Sequence, residues 1–217
     1  MSVNDVTTLF DQSLEAGDLT AKQKAVLRAS LELFAAQGFS RTSTGDIAKA
    51  AGVSEGTVYK RFKTKEDILQ AILAPFFQQV IPRVAGEFVD QALTALPPDV
   101  ATFLTAVLTD RLTFAVRNYQ VVKVVVAEAL QRPQLVAQVK ATFEQAVVQR
   151  LLPAIAHYQQ AGQLVDWPPL QIVRYVVGTM AGDLLPQLIT GQPVDVAAIV
   201  PREVTFLLRG LRPDPQA

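Results

Sequence analysis

With no cysteine and a single histidine, His157, this chain has few routes to covalent or metal chemistry. Absent thiols remove disulfides, thiolate zinc sites and cysteine nucleophiles. One imidazole excludes a multi-histidine centre, and the acids are scattered, so neither a metal nor a cofactor is expected. Asp110-Arg111 and Gly182-Asp183 belong to no catalytic motif. There is no nucleophile–base pair and no phosphate loop, and an enzyme is not expected. What remains is cationic. Between Thr20 and Lys65 stand Lys22, Lys24, Arg28, Arg41, Lys49, Lys60, Arg61, Lys63 and Lys65, against only Glu32, Asp46 and Glu55. The whole chain carries 20 bases and 20 acids, so this segment is +6 and the remainder −6. Such a split suits a polyanion reader joined to an acidic body, although a basic solvated face would look the same by charge alone.

The cations are set on short helices with legible ends. Thr20 and Gln23 form a capping box ahead of a helix carrying Val26, Leu27, Leu31 and Phe34, and Gly38 ends it where a positive φ is needed. Ser43 caps a second helix with Asp46 in its first turn and Ile47, Ala48 and Ala51 on its apolar side. Gly52 closes that helix, and Ser54 caps a third containing Val58, Tyr59 and Phe62. Thr64 with Asp67 caps a fourth. Two short helices joined at Gly52-Val53-Ser54 make a helix-turn-helix. Ala48 is small enough for close crossing, and Val53 plugs the core beneath the turn. Ile47, Val58 and Phe62 pack the pair on Leu31 and Phe34. The N-terminus of the helix Ser54 to Phe62 is then free to enter a major groove.

The run from Ala25 to Leu73 resembles the N-terminal domain of TetR-type transcription regulators. The resemblance rests on Leu33-Phe34 before Gly38-Phe39, Ile47-Ala48, Ala51-Gly52-Val53-Ser54, Thr57-Val58-Tyr59 and Phe62-Lys63-Thr64-Lys65-Glu66-Asp67. Gly45 departs from good helix propensity in a first turn. By position, the resemblance implies that Thr44 and Ser54 bond phosphates and that Gly56 lets the backbone approach DNA. Thr57 and Tyr59 would contact phosphate or sugar, Lys60 and Arg61 the groove or backbone, and Lys65 a phosphate. Glu55 would either accept from a cytosine amino group or merely offset the helix dipole. The implied function is a ligand-responsive transcriptional regulator, most often a repressor, that binds a palindromic double-stranded DNA operator as a homodimer.

Beyond Leu73 the pattern stays helical, with breaks at Pro75, Pro97–Pro98, Arg132–Pro133, Gly162, Pro168–Pro169 and Gly191–Pro193, and kinks expected at Pro153 and Pro186. Ala127-Glu128-Ala129, Arg132-Pro133 and the long helix to Gly162 resemble an AefR-like TetR C-terminal domain. The family pairs its last two long helices across a two-fold axis, here Pro169 to Thr190 and Val196 to Leu211. Both are unusually apolar, and Gly178, Ala181 and Gly182 would permit close approach. Family pockets lie in this bundle and take a small effector, here expected to be apolar. By helix face, Phe103, Val107, Phe114, Tyr119, Val125, Phe143, Val147 and Tyr175 are candidate lining, with plain core packing the alternative for each. Glu128 is a polar anchor, a buried partner of an arginine, or a surface residue.

The expected fold is all-α: an arm at 1–19, a three-helix helix-turn-helix domain with its following helix at 20–73, and a larger helical ligand-binding and dimerisation bundle at 74–217. Of the 217 residues half are hydrophobic, which argues against disorder. No apolar run reaches the ~18 residues of a membrane span, and no secretory signal opens the chain, so a cytoplasmic, non-membrane protein is expected.

Overall fold

The computed structural model describes residues 6–80, 82 and 96–214. Among them are eleven α-helices and no strand: α1 (Val6–Ala16), α2 (Ala21–Gln37), α3 (Thr44–Ala50), α4 (Glu55–Arg61), α5 (Lys65–Pro75), α6 (Val100–Arg117), α7 (Tyr119–Ala129), α8 (Pro133–Phe143), α9 (Gln149–Gln160), α10 (Pro169–Thr190) and α11 (Val196–Leu211). The all-α expectation holds. No described helix is long and apolar enough to cross a membrane. No group of three or more His, Asp or Glu among the described residues is placed to hold a metal ion.

Helix ends follow the caps legible in sequence. Thr20–Gln23, Ser43–Asp46 and Thr64–Asp67 are reciprocal capping boxes, each satisfying orphan amides at a helix start. Gly38, Gly52, Gly162 and Gly191 all have positive φ, at 88°, 66°, 68° and 77°, and mark helix exits or turns. Two expected prolines act differently from simple breaks. Pro75 lacks the amide its turn would use, yet the chain stays helical by widening into a π-helical turn at Phe76–Val80. Likewise a π-helical turn, Glu144–Val148, precedes α9 and its internal Pro153.

The chain folds as two compact units, residues 1–82 with 118–140, and residues 83–117 with 141–217. This division differs from the single seam expected at 73/74. The first unit gathers α1 to α5 with α7 and most of α8, so part of the anticipated C-terminal body packs with the reader. Within the expected arm, residues 6–16 are helical. They form α1, whose Phe10 and Leu14 are buried, with Phe10 stacked on Phe76 at 4.9 Å. Asp11 and Glu15 on α1 pair with Arg28, and Glu15 also with Lys24. Hydrogen bonding from Lys24 foremost, then from Arg28, holds the Glu15 carboxyl below its ordinary value. Two of the nine bases are thus answered within the fold.

In the second unit α6, α9, α10 and α11 surround Leu108, Leu112, Ala154, Tyr158, Ile172 and Leu208. The Tyr158 hydroxyl donates to the Pro97 carbonyl at 2.7 Å, and Val165 N–H to Leu211 O at 2.8 Å. Between α10 and α11 the packing is less resolved in polar terms. Asp183 Oδ2, Gln187 Oε1 and Glu203 Oε2 are buried without hydrogen-bond partners. Burial, then the nearby Glu203 carboxylate, pushes the Asp183 carboxyl above its ordinary value. A folded-state carboxyl held high favours folding only where it is protonated, and its ionisation works against the fold as pH rises. Asp183→Asn is therefore expected to raise the melting temperature at pH 7. The advantage should fade on acidification and vanish below the ordinary Asp value of 3.8, where both carboxyl states are neutral. A melting-temperature difference that does not change between pH 7 and pH 3.5 would refute the assignment.

Candidate nucleic-acid interface

Six buried side chains fix the reader's geometry. Leu31 and Phe34 of α2, Ile47 and Ala48 of α3, Val58 of α4 and Phe62 after it form one small core. Val53 N–H donates to Ala48 O at 3.0 Å, locking the turn that Gly52 opens. Ser54 caps α4 through Thr57 N–H, and its hydroxyl lies 3.0 Å from Thr57 Oγ1. The two reader helices are then tied by one polar contact. Thr44 Oγ1 at the start of α3 and the Tyr59 hydroxyl of α4 share a hydrogen bond of 2.8 Å.

Of the nine residues expected at DNA, Ser54, Glu55, Gly56, Tyr59, Lys60 and Arg61 are exposed, while Thr44, Thr57 and Lys65 are half-buried. The Tyr59 ring is 44% exposed, and its hydroxyl is already oriented by Thr44, so ring and hydroxyl are presented together. Lys60 and Arg61 sit on the last turn of α4, with Arg61 flanking the Phe62 ring at 5.8 Å. Glu55 lies against α3: a β-carbon at Gly45 would stand 3.0 Å from Glu55 Oε1. The low-propensity Gly45 thus leaves room for the Glu55 carboxylate beside the first turn of α3.

Lys65 has partners within the fold. Its ammonium donates to Phe39 O at 2.7 Å, Thr42 O at 2.8 Å and Ser40 O at 3.4 Å, and lies 4.4 Å from the Phe39 ring centroid. Three carbonyls take up its three protons, so Lys65 is a staple on the α2–α3 loop before it is a phosphate contact. Charge-assisted hydrogen bonds contribute about 1.5–3 kcal/mol each at most, and these share one donor group, so Lys65→Ala should cost ~2 kcal/mol. That corresponds to a fall of about 4–8 °C in melting temperature without DNA. An unchanged melting temperature, together with a salt slope of DNA binding reduced by about one, would restore the phosphate role.

The candidate ligand residues divide between the two units. Phe103 and Val107 belong to the second unit's core, with Phe103 tilted on Tyr158 at 5.2 Å. Phe143 packs on the edge of that core, and Phe114 lies beside the Arg111 guanidinium. The Val147 side chain lies outside the described residues. Tyr119, Val125 and Glu128 fall in the first unit, Tyr119 near the Lys123 ammonium. Glu128 is buried and accepts from Arg132 Nε at 3.0 Å, which is the arginine-partner reading of the three. Tyr175 is exposed beside Trp167, and with Thr179, Phe206, Leu207, Arg209, Gly210 and Leu211 they line a surface groove of about 550 Å³. His157 is exposed and edge-on to Tyr158.

Residues 26–72 match the family described as bacterial regulatory proteins, tetR family. The chain therefore carries a tetR-type N-terminal domain over this segment. The matched segment contains the whole helix-turn-helix and ends within α5. Over 71 residues the chain is 35% identical to the fatty acid metabolism regulator protein of Bacillus subtilis (strain 168), covering 33% of this chain and 37% of that one. Over 47 residues it is 51% identical to the HTH-type transcriptional regulator AcrR of Shigella flexneri, covering 22% of each. The chain thus matches about a third or less of these regulators, on the tetR-type reader. The fold is shared more widely. FadR of Bacillus halodurans superposes with a TM-score of 0.67 at 21% identity, over 91% of this chain and all of that one. FadR of Bacillus subtilis in complex with stearoyl-CoA gives 0.62 at 20% identity, over 86% and 97%.

Proposed function

We propose that this chain is a tetR-family transcriptional regulator that binds an inverted-repeat operator as a homodimer and is released by a small-molecule effector recognised through a long apolar chain. The observation that carries the reading is the tetR-type reader itself. Its buried core is complete, its helices are tied by Thr44 and Tyr59, and its outer face presents Ser54, Tyr59, Lys60 and Arg61. Repression is the mode in this reading, because a reader that competes for an operator needs no further surface. A cytoplasmic setting and an AefR-like C-terminal body belong to the same proposal.

Support for the dimer comes from α10 and α11. In the 22 residues of α10 only Ile172 and Val173 are buried, although its sequence is apolar on more than one face. Leu170, Val177, Leu185 and Ile189 of α10 and Phe206 of α11 are exposed. Gly178 and Gly182 have open space where a side chain would project. A monomer exposing this much apolar helix needs cover, and a second copy supplies it in matching geometry. Support for the effector class comes from the two FadR structures. An acyl-CoA is the ligand of one of them, and a long-chain acyl thioester is the class we assign here.

Selection of random duplex DNA by the purified protein tests the reading. The expected product is an inverted repeat with half-site centres about one helical turn or somewhat more apart. Recovery of no enriched sequence, with binding no tighter than to bulk duplex at about 100 mM salt, would overturn it.

A further inference from the structure

The turn between α7 and α8 carries Arg132, and its guanidinium is committed in three directions. Nε donates to Glu128 Oε2 on α7 at 3.0 Å, and Nη2 lies 3.9 Å from Glu66 Oε1 on α5. Its carbon Cζ stands 4.8 Å from the centroid of Phe39, in the loop between α2 and α3. The Glu128 side chain is only 5% exposed, so this carboxylate has given up water and depends on its partner. The Phe39 ring is itself buried, and the Lys65 ammonium lies 4.4 Å from the same centroid. One aromatic ring is therefore shared by two cations, one from the start of α5 and one from the α7–α8 turn.

What that ring controls lies four residues downstream. Lys65 holds the carbonyls of Phe39, Ser40 and Thr42. The buried Thr42 returns its hydroxyl to Gly38 O at 2.8 Å and accepts from Gln37 Nε2 at 3.2 Å. Ser43 then caps α3, and Thr44 makes the bond to Tyr59 that joins the reader helices. The path from Arg132 to the Tyr59 hydroxyl is continuous, and each step is a packed ring, a short loop or a hydrogen bond.

We propose that Arg132, held by Glu128, is a positioning residue for DNA reading: through the Phe39 ring it fixes the 39–43 loop, and with it the stance of α3 and the Thr44–Tyr59 pair. The proposal rests on the DNA-reading assignment above and is independent of any effector. Arginine suits the task where lysine would not, because its planar group stacks on the ring while its edge meets two carboxylates. Arg132 itself does not touch DNA.

The test uses the full-length chain and the duplex that it selects. Glu128→Gln/Arg132→Met removes both charges together, so no buried carboxylate is orphaned. Arg132→Lys keeps the charge and loses the plane, and it carries the test if the double variant does not fold. Melting temperature, hydrogen exchange of peptides spanning 39–46, and duplex affinity across a salt series are measured on each. We expect exchange in that segment to rise, and affinity to fall by about tenfold, within the range of ordinary coupling between sites. The salt slope should stay unchanged, because no phosphate contact is lost. Wild-type exchange and affinity in a folded variant would overturn the proposal, reducing the pair to a structural role. A salt slope lower by about one would also overturn it, by making Arg132 a phosphate contact. If the wild type selects no duplex, the DNA-reading assignment fails instead. The exchange measurement needs no DNA and still decides whether Arg132 orders the loop.

Discussion

Phe206→Asp is expected to convert the protein to monomers and to weaken binding to the inverted repeat by about a hundredfold or more. Phe206 is 65% exposed on α11, and Leu185 and Ile189 on α10 are 51% and 73% exposed. An aspartate there would be buried twice in the proposed interface, once on each protomer, because a two-fold interface presents the same patch on both sides. Charges buried without water or counter-charge oppose association strongly. In one protomer, by contrast, position 206 faces solvent, so the fold itself should tolerate the change. Loss of affinity follows from geometry. Two readers on one dimer engage two half-sites at an effective concentration far above that of free monomers, and this advantage disappears with the dimer. Binding to an isolated half-site should change little, which distinguishes lost dimerisation from a damaged reader. Light scattering and fluorescence anisotropy on the two duplexes give the answer. A wild type that is already monomeric at micromolar concentration, or a variant dimer that binds normally, would remove α10 and α11 from the interface.

The parts of this fold that were legible in the sequence are those specified by local chemistry. Capping depends on residues three apart, so Thr20–Gln23 and Thr64–Asp67 could be read directly, as could the glycines at 38 and 52 that need positive φ. The helix-turn-helix is almost wholly of this kind. What escaped depends on partners distant in sequence. Among the described side chains of α1, Phe10 and Leu14 are buried, and the helix is held by Phe76, Arg28 and Lys24. The assignment of α7 to the reader's unit escaped for the same reason, since nothing local says that α7 packs on α2. Lys65 shows what transferring a role by position leaves out. Its place in the motif is right, but its protons go to carbonyls at 39, 40 and 42. Even so, one signal was present: an arginine four residues after Glu128 is the spacing of a helical ion pair, and Glu128–Arg132 is that pair.

Addition of stearoyl-CoA is expected to lower affinity for the selected inverted repeat by about a hundredfold, equivalent to ~2.7 kcal/mol of preference for the released state. A full swing from 1:99 to 99:1 would need ~5.5 kcal/mol. The alkyl chain can supply this. Each buried methylene is worth about 0.8 kcal/mol, so a few methylenes more deeply buried in one state than in the other suffice. The preference must be differential, because a ligand bound equally by both states shifts nothing. Helix α5 is where we expect the change. It begins at Lys65, capped by Thr64 beside the reader, and beyond Pro75 its winding loosens into the π-helical turn Phe76–Val80, with Phe76 held by Phe10 of α1. A helix that already departs from α geometry at one point is a natural place for a small rotation. Chain length separates this from a headgroup effect: octanoyl-CoA should release DNA more weakly than stearoyl-CoA, and coenzyme A alone not at all. Equal release by all three would point to the nucleotide rather than the acyl chain. Unchanged DNA affinity at saturating stearoyl-CoA, with binding of the ligand confirmed by calorimetry, would sink the acyl-CoA reading while leaving the operator-binding dimer intact.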